Sequence, residues 1–289
     1  MIGWLTEPFT FGFMQKALVA SVIVGVVCAV IGCYIVLRSM AFLGDALAHA
    51  ILPGVAVAYL VGANLLAGAL VAGLIVAVGI SYVSRAGTIK EDTAIGIFFA
   101  AALALGVVLI STTRTYAVDL THVLFGNVLG VTVTDLWISG LLGFLVLAAI
   151  LLLYKRLLVV SFDPVLGQTL GLRTHALRTG LFLMLAATIV VALRTVGVAL
   201  VAAMLVTPPA AAYLLTHRLP TMMAVSASIG LVSAVGGLYV SYYLGVASGG
   251  AMVLVATAIF MVAFVFAPER GVAWRLRRSH GLNAGRHVR

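Results

Sequence analysis

ALVASVIVGVVCAVIGCYIVL, residues 17–37, runs its whole length without one charged side chain. About 20 apolar residues in a row is the length at which an α-helix crosses the hydrocarbon core of a bilayer. Similar runs recur as far as residue 267. Of the 289 residues, 64% are hydrophobic and 9% charged, with a mean hydropathy of +1.25. A soluble domain carries about 25% charged residues, so this chain cannot cover itself with a wetted surface. The runs are continuous rather than alternating, which selects helices over barrel strands. An all-α polytopic membrane protein is expected.

Working outward from that first run, spans are placed near 14–37, 45–61, 65–84, 93–111, 135–154, 179–196, 198–215, 222–243 and 250–267. That gives about nine transmembrane helices, or alternatively eight if the two runs flanking Gly197 form one broken helix. The start shows no short apolar region followed by a cleavage site, so no removable signal peptide is expected. Cys28 and Cys33 lie off one another's helical face and read as small buried residues.

Basic residues set the orientation. Arg38, Arg85 with Lys90, the segment 155–178 and Arg218 all fall on one side, together with the six arginines after Pro268. The N-terminus is therefore expected outside and the C-terminus in the cytoplasm. The formal net charge of +9 is mostly this bias. RLRR at 275–278 can rest on anionic membrane lipid, and no nucleic-acid partner is expected.

Polar residues inside apolar runs carry the functional information. In GDALAHAILPG (44–54), Asp45 and His49 are four apart and so share a helix face. A charged side chain at the centre of a membrane helix costs about 2.5–3.5 kcal/mol even on insertion scales. Carboxylate plus imidazole is a donor set that manganese, zinc and iron accept. Pro53 has no amide to give to the carbonyl of His49, so the helix should bend and leave that oxygen free. Two donors are few for a metal, and a symmetric pair of chains would supply four. The other reading leaves Asp45 as a helix cap and His49 bonded to a neighbouring carbonyl.

Further candidates are weaker. Asp119 and His122, in an outer loop, form a second acid–imidazole pair and a secondary metal candidate. Pro208 and Pro209 should kink the seventh span, as a packing feature or a gating kink alongside Pro53. Arg194 is the main other deep ionisable residue.

SFDPVLGQTLGLRT (161–174) is too short to span and too apolar to float. Asp163 suits an N-cap, Pro164 the first helical position and Gly171 a left-handed C-cap. Between them a short helix exposes Val165, Leu166 and Leu170, to rest on lipid or to dock on a cytoplasmic partner. The chain carries no phosphate-binding loop and no dinucleotide fingerprint, so any ATP is bound by another polypeptide.

RSMAFLGDALAHAILPGVAVAYL (38–60) resembles the signature of the manganese/zinc/iron-type ABC importer permeases, the membrane subunits of the ABC-3 family. SFDPVLGQTLGL, RTVGVALVAAMLVTPPAAAYLL and SGGAMVLVATAIF resemble later segments of that family in the same order, and the likeness covers roughly residues 11–267. It implies a type II ABC importer-like fold, with a permease domain over 1–268 and a basic cytoplasmic tail over 269–289. It further implies a homodimer in the bacterial plasma membrane, fed with Mn2+ or Zn2+ by an extracellular or periplasmic binding protein and driven by cytoplasmic ATPase subunits. The chain would itself be no enzyme and hold no cofactor. By that resemblance Asp45 and His49 match the metal-coordinating pair, and Asp163 to Gly171 the coupling helix seated in the ATPase. Ala48 stands where serine is common, and VASGG (246–250) lacks the proline and acid that often precede the glycine. A self-contained secondary transporter would want acids or bases deep in several spans. A permease for a metal chelate, siderophore or cobalamin would want a wide path without paired ligands.

Overall fold

The computed structural model describes residues 7–85, 89–111 and 130–268. Asp119, His122 and the basic tail from 269 onward lie outside the described residues. After a single turn at Glu7–Thr10, the chain forms α1 (Gly12–Leu37), α2 (Phe42–Ala50), α3 (Leu52–Leu60), α4 (Leu65–Arg85) and α5 (Glu91–Ser111). There follow α6 (Val133–Phe162), the short α7 (Pro164–Thr169), α8 (Thr174–Val196), α9 (Val198–Leu215), α10 (Leu219–Leu244) and α11 (Ser248–Phe266).

Among the described residues, eight helical segments are long and apolar enough to cross a membrane, with α2 and α3 together forming one of them. α9 carries no charged residue over its 18 residues. α8 and α9 are separate helices that meet at Gly197, whose φ of 86° only glycine adopts without strain. α1, the α2–α3 pair and α8 are the most enclosed spans, whereas α5, α6 and α11 turn most of their surface outward. Trp137, Phe144, Leu151 and Leu152 on α6 are exposed, as expected of a face solvated by lipid tails.

Lipid tails are as apolar as leucine, so burial alone does not hold such helices together. Close backbone approach at small residues does, through dispersion and weak C–H···O contacts. α3 and α4 cross at Gly54 and Gly68, where a β-carbon on either would run into the other's carbonyl. α1 and α10 meet in the same way at Gly25 and Gly230, and Ser226 donates to the Ala29 carbonyl across that seam at 2.9 Å.

Pro208 and Pro209 lie inside α9 and are buried. Proline gives no amide, so the Leu205 carbonyl loses its partner four residues on. That oxygen faces Gly32 of α1, beside the Pro209 ring, where there is no room for a β-carbon. At this contact the proline pair serves packing between α9 and α1.

A methyl group placed there must push two helices apart. Gly32→Ala is expected to cost about 1–3 kcal/mol, the usual penalty of overpacking. The check is the thermal midpoint of the purified protein in detergent, and an unaltered midpoint would contradict the close approach.

Candidate functional site

α1 ends against a tight strap, residues 38–41. Ser39 adopts φ 56°, in the left-handed region, and the amides of Ser39 and Met40 bond back to Val36 and Ile35 at 3.0 Å each. The strap delivers the chain into α2 in a fixed direction. Gly44 then presents a bare face on which Leu205 of α9 packs. Asp45 and His49 follow on the neighbouring face, one turn apart. Nε2 of His49 lies 3.5 Å from Oδ1 of Asp45, with the side chains 27% and 51% exposed, respectively. That separation is longer than a well-made hydrogen bond, so the two groups lie side by side without satisfying one another. The edge of Phe99, on α5, packs on the imidazole with ring centroids 5.9 Å apart.

Two sequence expectations are resolved here. Asp45 does not cap the helix, because Ala41 occupies the cap position and no side chain bonds there. The interruption expected from Pro53 falls at Ile51, between α2 and α3. The carbonyl of His49 is not left free, however, since the amide of Ile51 turns back toward it. Gly106 of α5 packs against Leu52 and the Pro53 nitrogen, holding the break in place. Among the described residues no group of three or more histidine, cysteine, aspartate or glutamate side chains converges. Among the described residues, Asp45 and His49 thus stand as a pair of side-chain donors with no third such group beside them.

The second candidate element, α7, is built as its sequence suggests. Asp163 caps it, with Oδ1 accepting the amides of Val165 and Leu166 at 2.9 Å each. Pro164 opens the helix, and Gly171 reverses the chain at φ 73°. Gly167 is buried against Thr174 at the start of α8, so α7 and α8 meet through a surface that admits no side chain. Val165, Leu166 and Leu170 remain exposed, at 67%, 48% and 61%. Beside them opens a groove of about 1050 Å³ between the end of α4 and the start of α8, edged by Tyr82, Arg85, Gln168, Arg173 and His175.

One feature escaped sequence reasoning. Glu91, the first residue of α5, sits between Arg38 and Arg178. Arg38 donates to its two oxygens at 3.5 and 3.3 Å. Nε of Arg178 stands 2.8 Å from Oε1, though its N–H is turned out of line for a hydrogen bond. Arg178 also donates to the Ser84 hydroxyl and lies over the Phe182 ring. The side chains are 11%, 23% and 17% exposed for Arg38, Glu91 and Arg178. Burial pushes the Arg38 guanidinium below its usual range, and Glu91 works against that shift. The only signal in the sequence is scarcity, since Glu91 is one of eight acids in the chain and lies among basic loops.

Comparison with known proteins follows the same lines. Residues 10–267 match the family described as "ABC 3 transport family". The chain is 49% identical, over 96% of both sequences, to "Manganese transport system membrane protein MntC" of Halalkalibacterium halodurans. It is 43% identical to "Manganese import system permease protein ScaB" of Streptococcus gordonii, over 90% of this chain and 93% of that one. Among solved structures it resembles a chain of "PsaBC from Streptococcus pneumoniae in complex with Fab", with TM-score 0.82, 39% identity and coverage of 93% and 98%.

Removing the Asp163 carboxylate leaves two amides of α7 without an acceptor. Asp163→Ala is expected to weaken the short helix by about 1 kcal/mol, and so to speed hydrogen exchange of amides 165–169 roughly fivefold. Exchange mass spectrometry of the intact protein gives the answer, and an unchanged rate would refute the cap's importance.

Proposed function

The chain belongs to the ABC 3 transport family, and from that membership we propose that it is the permease subunit of an ATP-driven importer for a divalent transition-metal cation, with Mn2+ as cargo. The observation that carries this reading is the Asp45–His49 pair, an acid and an imidazole on one helix face, 3.5 Å apart and still open to a third party. Oxygen and nitrogen donors together suit manganese. The names of the relatives favour it over zinc, which the same donors would accept.

ATP hydrolysis belongs to a partner subunit. The binding protein offers the ion on the outer face, where the N-terminus lies, and the C-terminus is cytoplasmic. Two copies of the permease face each other so that two Asp45–His49 pairs give four donors around one path, which makes the site incomplete in a single chain. Few donors per chain keep the grip weak enough for release, as transport demands. The exposed Val165 and Leu166 on α7, with Leu170 just after it, seat in the cytoplasmic ATPase and transmit its closure to the spans.

Two measurements test the reading. Asp45→Ala or His49→Ala is expected to lower manganese uptake by whole cells roughly tenfold or more, since loss of a direct donor should cost at least as much as loss of a supporting one. Full uptake by a normally expressed double variant would remove the metal site. Leu166→Asp is expected to abolish co-purification with the ATPase, and undiminished association would place α7 on lipid instead.

A further inference from the structure

We propose that Glu91, clamped between Arg38 and Arg178, is the positioning residue through which movement of α7 reaches the Asp45–His49 pair. The inference rests on the importer reading above and names the route inside the chain.

The start of this route is at α7. Gly167 leaves no gap between α7 and Thr174, so a shift of α7 must carry the first turns of α8 with it. Arg178 is in the second of those turns and touches Glu91 and Ser84, on α5 and α4. From Glu91 two short links lead to the metal pair. One passes through Arg38 and the strap, where Met40 accepts the amide of Leu43 at 3.0 Å, into α2, which bears Asp45 and His49. The other runs two turns up α5 from Glu91 to Phe99, whose ring sits on His49. One carboxylate thus anchors both supports of the site.

The charges argue that this is more than a staple. Two guanidiniums share a single carboxylate in a largely enclosed place, so one positive charge stays uncompensated. Buried ion pairs stabilise little, because desolvation consumes the Coulomb gain. A shared carboxylate can, however, tighten on one arginine as it loosens from the other. A second arrangement of that kind, beside the one seen here, is what the proposed switching role requires.

The test uses the complete transporter, permease with its ATPase subunits, in proteoliposomes supplied with the binding protein and Mn2+. For Glu91→Gln, ATP hydrolysis is expected to continue while manganese taken up per ATP falls roughly fivefold or more, the lower range of a typical coupling energy. Glu91→Asp, which keeps the charge but draws it back by one methylene, is expected to give an intermediate ratio. An unchanged ratio in both variants overturns the proposal, as does a proportional loss of hydrolysis and uptake, which is what a merely structural role produces. Failure of even Glu91→Asp to assemble with the ATPase overturns it too, by assigning Glu91 to the scaffold. Asp45→Ala, run in parallel, separates the two readings. Normal uptake in that variant defeats the metal site, while the ratio in the Glu91 variants is read independently.

Discussion

A carboxylate in an apolar bundle has to be met by donors, because no water is there to solvate it. Four of the described acids can be ranked by how well this is done. Glu91 has two guanidiniums. Asp163 takes two backbone amides. Asp135, buried at the start of α6, accepts the amide of Thr132 at 3.1 Å and its hydroxyl at 2.6 Å. Asp45 has an imidazole at 3.5 Å and a half-open surface. The least satisfied of the four is the one proposed above as a metal donor, and its open surface is an argument separate from the family resemblance.

Holding that acid in place falls to residues that have almost no side chain. Gly44 lets Leu205 press on α2, Gly106 backs the break before Pro53, and Gly54 locks α3 onto Gly68. A bundle in lipid gains little from burying larger apolar groups, so helices are positioned by how closely their backbones approach. The same logic places the freed Leu205 carbonyl against Gly32. What looks like a weakness in the sequence, two prolines in mid-span, is matched at Gly32 by a glycine far earlier in the chain, a separation at which local patterns say nothing.

How much could be read beforehand follows from range. Span positions rest on local hydropathy, and each predicted run has a helix. α7 was legible because its cap, its first-turn proline and its closing glycine all lie within nine residues. The Asp45–His49 face follows from helical spacing alone. The fate of the His49 carbonyl was not legible, since proline removes a donor but does not say which amide turns in to replace it. The Arg38–Glu91 pair joins residues 53 apart, and orientation rules treat both partners simply as loop charges. Counting basic loops told which end they share, though not that they touch.

That shared end matters for mechanism. The strap, the start of α5 and the start of α8 converge on Glu91, and the exposed apolar face of α7 is one tight contact away. Asp45 is in the first turns of α2, on the same side of the bundle as this cluster. The Asp45–His49 pair proposed to handle the ion and the α7 face proposed to meet the ATPase are therefore separated by a few stiff links rather than by the thickness of a membrane. A device so arranged need not propagate a large motion. On the proposed route, a small displacement of α7 passes through the first turns of α8 to Glu91. From there the Asp45 carboxylate is reached through Arg38 and the strap and the His49 imidazole through Phe99, by separate links from one side chain.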